Sequence, residues 1–195
     1  MTPAPPTLTP GRVYRTRDFA RWTSNPPRLA RRLAQEGRLK PLAHGLFVSP
    51  KQGRFGAVPP TDEAVMRAFL DGAPFVLTGP ERWNALGLGT SAAFAAQLVY
   101  NTKRSGEFQL GRRRYLLRRV AFPKQPSPEW FVVDLFQHAE QAAANRDDLT
   151  RALGEALRRG RFDAARLRTC AQEYGSRDTQ QRIEEALDAA RSVAA

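Results

Sequence analysis

Three arginines, Arg28, Arg31 and Arg32, follow the tripeptide Thr23-Ser24-Asn25 at spacings that share one side of an α-helix. A guanidinium is always charged and offers a rigid fork of N–H donors, so such a row can grip phosphates or the O6/N7 edge of guanine. Thr23, Ser24 and Asn25 supply short hydrogen-bonding side chains at the start of that helix, and Arg17 and Arg21 stand before it as supporting phosphate contacts. Lys40 and His44 come after it, placed to touch a nucleic-acid backbone. The chemistry is recognition of duplex DNA. The competing reading is a solvated cationic face on an ordinary surface helix, which most charge runs are. Against it stand the lack of an acidic partner for these three arginines until Glu36, the cap between the helices and the order of the surrounding elements.

Residues that make and break bonds are not so arranged. His44 and His138 are far apart in sequence, and neither has a Cys or carboxylate at ligand spacing; His138, in LFQHAEQ, reads as a helix-face residue. The turns Thr78-Gly79-Pro80 and GLGTS lack the spacing of a phosphate-binding loop. Glu140, Asp147 and Asp148 gather around a helix end in a charge-balanced region. Cys170 has no second cysteine with which to form an intramolecular disulfide. The sequence therefore predicts no catalytic residues, no metal ligands and no cofactor.

The elements that must position the arginines form a helix-turn-helix with a two-stranded wing. A short amphipathic turn starts at Thr16; Asn25 caps a second helix with Pro26 at its first position. Leu29, Ala30, Leu33 and Ala34 make the packing face of that helix, and Gly37 stops it. Residues 38–42 and 46–48 are extended runs joined by Ala43-His44-Gly45, the wing. Residues 51–60 read as a glycine- and proline-bearing connector, which sets a boundary near residue 60. Beyond it come a helix from Thr61 to Gly72, a strand at 75–77, a helix through Trp83, a strand at 96–101 and a hairpin of 108–110 with 115–120. After Pro123, Pro126 and Pro128 the pattern is helical over 129–144, 147–159, 163–174 and 177–193. The predicted fold class is α+β: a winged helix-turn-helix, then a mixed α/β unit with a C-terminal helical bundle. The predicted domains are a flexible proline-rich arm over 1–11, a DNA-binding domain over 12–60, and a second domain over 61–195 that holds most of the large apolar residues.

The formal net charge of +12 lies in two blocks. Residues 1–60 carry eleven Lys/Arg against two acids, and residues 101–125 carry eight against one. A surplus confined to blocks is the footprint of a polyanion partner. In the second block, Arg112, Arg113, Arg114, Arg118 and Arg119 lie on the predicted hairpin, where alternation divides them between both faces. They either protect a sheet edge from mispairing or form a secondary basic surface for an acidic partner or DNA, and both readings stay open. No signal-peptide pattern or membrane-spanning apolar run is present, so no membrane partner and a cytoplasmic location are expected.

The wing ending in HGLFVSP, the TGPERWNALGLGT helix and turn, the strand QLVYNTK and the hairpin GRRRYLLRRVAFP together resemble the AbiEi-type antitoxins of bacterial type IV toxin–antitoxin systems. The resemblance covers roughly residues 12–123. It implies a winged-helix domain that represses the system's own promoter and a C-terminal domain that counters a nucleotidyltransferase-like toxin. Two alternatives are a stand-alone winged-helix regulator and a protein-interaction module without DNA binding.

Overall fold

A computed structural model describes residues 6–90 and 93–192, a mixed α+β arrangement with several small sheets. The chain divides into two compact units, Met1–Phe75 with Thr102–Leu117, and Val76–Asn101 with Arg118–Ala195.

In the first unit, β1 (Val13–Arg15) leads into a six-residue 3-10 helix, Thr16–Arg21, then α1 (Pro26–Gln35), β2 (Lys40–Ala43) and β3 (Leu46–Val48). The three strands form an antiparallel sheet in the order β1-β3-β2. α1 begins where expected because the Asn25 side chain accepts the Arg28 amide at 3.1 Å and Pro26 needs no amide partner in the first turn. It ends in a Schellman closure: Gly37, at φ +71°, donates to Ala34 O and Arg38 to Leu33 O. Leu29, Ala30 and Leu33 of α1 meet Tyr14, Phe19 and Leu39 in one core, with Leu8, Trp22 and Phe47 packed around it.

That core corrects the expected flexible arm. Residues 1–5 lie outside the described residues, but Pro6 is buried and accepts a hydrogen bond from Arg38 Nη2 at 2.7 Å. The Thr9 amide donates to Tyr14 OH at 2.8 Å. Residues 6–9 thus carry Pro6 and Leu8 onto the unit, Pro6 buried and Leu8 against the core.

Residues 51–60 also differ from the expected connector, for they hold an antiparallel hairpin of β4 (Lys51–Gly53) and β5 (Gly56–Val58). Then α2 (Asp62–Phe69) follows, capped by Thr61 Oγ1 on the Ala64 amide. A second hairpin, β8 (Gly106–Leu110) with β9 (Arg113–Arg119, of which the unit takes residues up to Leu117), completes this unit from far along the chain. Its turn is seated by a β-bulge in β2: the register shift between Pro41 and Ala43 leaves the Leu42 carbonyl out of the ladder, where it accepts the Gly111 amide at 2.7 Å. A Cβ at Gly111 would stand 3.0 Å from Leu42 Cδ2, at φ +64°.

The second unit contains β6 (Phe75–Thr78, entered from the first unit), α3 (Pro80–Ala85), β7 (Ala96–Asn101) and four helices. These are α4 (Pro128–Gln137), α5 (Arg146–Arg158), α6 (Ala164–Tyr174) and α7 (Arg177–Ser192), started by Ser127, Asn145 and Asp163 as caps of the first three. α5 packs on α7 and α6 on α4. Gly154 allows the close approach of α5, since a Cβ there would lie 3.4 Å from Ala186 O. α4 is shorter than the predicted 129–144. The His138 ring donates from Nδ1 to the Asp134 carbonyl at 2.8 Å, taking the acceptor that the His138 amide would use in a continuing helix, and that amide bonds Leu135 O instead.

Candidate nucleic-acid interface

The solvent face of α1 carries Arg28, Arg31 and Arg32, all exposed. Among the described residues, neither Arg28 nor Arg31 pairs with a carboxylate, whereas Arg32 Nε lies 3.7 Å from Glu36. Thr23 and Asn25 are partly occupied by the cap itself: Thr23 Oγ1 accepts the Asn25 amide at 3.1 Å, and Asn25 Oδ1 the Arg28 amide. Ser24 is exposed beside them. Arg21 is exposed and lies over the Trp22 ring, 3.8 Å from its centroid. An aromatic stack holds a guanidinium without neutralising it.

Other predicted residues are placed differently. Arg17 is not a bare cation, because its guanidinium is hydrogen-bonded to Asp71. Asp71 sits at φ +59° just beyond α2 and also faces Arg15 at 3.2 Å and Lys103 at 3.7 Å. Three cations thus converge on one carboxylate. An open cleft of about 780 Å³ runs along this edge of the unit, bordered by Arg15, Arg17, Arg31, His44 and Arg104 over a floor of Phe47 and Phe69. His44 is exposed in the β2–β3 turn and Lys40 is exposed on β2, so the structure brings Arg31 and His44 to one cleft.

The second basic block is divided. Arg112, Arg113 and Arg114 belong to the first unit, while Arg118 and Arg119 belong to the second. Arg113 pairs with Asp62 at 2.9 Å and Arg114 with Glu107 at 3.6 Å. The Asp62 carboxylate also accepts Tyr115 OH at 2.7 Å, and burial with that bond pushes the phenol well above its ordinary pKa. These arginines are in part tied to their own unit, not arrayed as one bare surface. By units, the first holds seventeen Lys/Arg against six Asp/Glu, net +11, and the second fourteen against thirteen, net +1. Nearly all the cationic surplus belongs to the unit that carries α1.

The sequence reading missed a buried polar cluster in the second unit. Asp134, 2% exposed on α4, accepts Thr78 Oγ1 at 2.5 Å and Trp83 Nε1 at 2.8 Å on one oxygen, and Tyr100 OH at 2.6 Å on the other. The His138 ring stacks on Trp83 with centroids 5.4 Å apart, and its Nε2 lies 3.2 Å from Tyr100 OH. A carbonyl can only accept, so the short bond to Asp134 O fixes the proton on Nδ1. Burial lowers the His138 pKa, but hydrogen bonding to Asp134 and its charge outweigh this and raise it above the usual value. The one local signal is Asp134 itself, a carboxylate four residues before His138 that the sequence reading passed over; the other donors arrive from residues 78, 83 and 100. Its carboxylate is saturated by donors, which suits anchoring of four segments better than chemistry. Among the described residues, no group of three or more His, Cys, Asp or Glu could hold a metal ion, and no helix is long and apolar enough to cross a membrane.

No family model and no curated protein matches the chain. In fold it is similar to the crystal structure of the RV2827C protein from Mycobacterium tuberculosis, at 14% identity and a TM-score of 0.60, over 92% of this chain and 72% of that one.

Proposed function

We propose that this chain is a DNA-binding transcriptional autorepressor, the antitoxin of a type IV toxin–antitoxin system that counters a nucleotidyltransferase-like toxin in the cytoplasm, with no enzymatic activity. In this reading residues 12–48 act as a winged helix-turn-helix on the chain's own promoter. The observation that carries it is the exposed pair Arg28 and Arg31 on α1, without a carboxylate partner among the described residues, in a unit of net charge +11. α1 enters the major groove with these two side chains toward base edges, Ser24 and Asn25 bond near its N-terminus, and Lys40 and His44 approach the flanking phosphates. The 3-10 helix Thr16–Arg21 takes the place of the first helix of the motif. The antitoxin role rests on the resemblance of residues 12–123 described above.

The test is a titration of the full chain with duplex from its own upstream region over a range of salt concentrations. Displaced counterions should give a log K against log salt slope of about −0.9 per phosphate neutralised. A flat plot removes the DNA reading. Co-expression with a neighbouring nucleotidyltransferase tests the antitoxin half: rescue of growth supports it, operator binding without rescue leaves a stand-alone regulator, and rescue without DNA binding leaves an interaction module.

A further inference from the structure

The β4–β5 hairpin has no packing role that explains its composition. All six strand residues are exposed, and Phe55 at its tip is 97% exposed. Its base, by contrast, is fixed: Ser49 is buried, its amide donates to Arg12 O at 3.0 Å, and its carbonyl accepts the Gly11 amide at 2.8 Å. The two strands pair Lys51 with Val58, Gln52 with Ala57 and Gly53 with Gly56, so Arg54 and Phe55 alone form the loop. Gly53 keeps the arms close, because a Cβ there would meet Val58 Cγ2 at 2.8 Å. The result is a narrow ribbon, anchored at one end, that carries the exposed cation Lys51 on its first strand and presents Arg54 and Phe55 to solvent at its tip. From residue 37 to residue 61 the chain contains no Asp or Glu, while Arg38, Lys40, Lys51 and Arg54 are all basic.

We propose that this hairpin is a second DNA-contacting element, which places Arg54 in the minor groove and wedges Phe55 against a base step. The inference rests on the duplex-binding reading above. The minor groove, about 6 Å wide, admits a guanidinium or a ring edge, and its negative potential selects arginine. An apolar side chain inserted there partly unstacks the step it meets, and burying Phe55 in this way removes an exposed ring from water. The only charges on residues 51–58 are those of Lys51 and Arg54, so a protein partner would have to be acidic; the groove supplies both the charge and the flat apolar surface that the ring requires.

The experiment uses the full chain and its own upstream duplex, with 2-aminopurine, a fluorescent adenine analogue, placed at successive positions. For the wild type, fluorescence should rise at one step as that step unstacks. Phe55→Ala should abolish the rise and weaken binding about 5- to 150-fold, the range for losing one base–aromatic contact. Arg54→Ala should reduce the salt slope by about 1. The fold should be unchanged in circular dichroism, since Phe55 is almost wholly in solvent. If Arg31→Ala weakens the complex while Phe55→Ala and Arg54→Ala bind like the wild type, the hairpin is outside the footprint and the proposal fails, whereas the DNA reading stands. That outcome would leave a protein partner as the use of the hairpin. If the wild type binds no duplex, both fall together.

Discussion

At the scale of single residues, charge pairing separates the arginines into those free to bind and those already engaged. Arg28→Ala or Arg31→Ala should cost about 1–3 kcal/mol of operator binding where the side chain reads a base, and Lys40→Ala should weaken every duplex alike. Arg17→Ala should matter less for affinity, because binding a phosphate through Arg17 means first breaking its pairing with Asp71. Competition titrations with specific and unrelated duplexes measure both; equal losses for Arg17 and Arg31 would contradict the distinction. His138 gives a second residue-scale prediction. The groups around it are Asp134, Tyr100, Trp83 and the charge of Arg118, and the net effect raises its folded-state pKa. A raised histidine pKa stabilises the fold fully below the unfolded value of about 6.5 and loses that contribution as pH climbs through the folded pKa. Melting temperature followed from acid to mildly alkaline pH should therefore show an extra decline in the wild type that His138→Gln lacks. Parallel curves for the two proteins would mean that Asp134 does not hold the imidazolium.

At the scale of elements, the same logic assigns stability to caps and to the buried carboxylate. Asn25→Ala removes the acceptor for the Arg28 amide and should cost about 1 kcal/mol, read as a lower urea midpoint at unchanged slope. Asp134→Ala leaves the donors of Thr78, Trp83 and Tyr100 buried without an acceptor, and should cost about 3–5 kcal/mol. A loss below about 1 kcal/mol would show that water reaches the cluster. The contrast explains what the sequence made legible. α1, its cap and its glycine stop are local signals within some twelve residues, and α5 and α6 likewise carry their own periodicity and caps. The end of α4 is not local: Ala139 and Ala142 remain buried at helical spacing after the helix has stopped, because the stop is set by the His138 ring. Apart from the Asp134–His138 pair, the buried cluster is invisible for the same reason, with donors 34 to 56 residues away along the chain. Glycines and a proline pair made residues 51–60 read as a connector, although glycines facing each other across two residues are also what a tight hairpin requires.

At the scale of the whole molecule, the chain is not divided at residue 60. Residues 61–75 and 102–117 belong with the N-terminal segment, a grouping that sequence order conceals because the β8–β9 hairpin returns from some forty residues downstream. Cutting at residue 60 takes Arg15 and Arg17 from Asp71, removes the Leu42 carbonyl from the Gly111 amide, and strips β1 from α2. It leaves the Asp134 cluster and the α4–α7 helices intact. A fragment of residues 61–195 should therefore fold only in part. Hydrogen exchange should show α5 and α7 protected as in the full chain, while amides of α2 and of the β8–β9 hairpin, buried against missing partners, exchange fast. The fragment should also lose salt-dependent duplex binding, since it lacks Arg28 and Arg31 and most of the surplus charge of the first unit. Full protection of α2 and the hairpin in the fragment would overturn this division and restore a boundary at residue 60. Retained operator binding would move the interface out of α1 altogether.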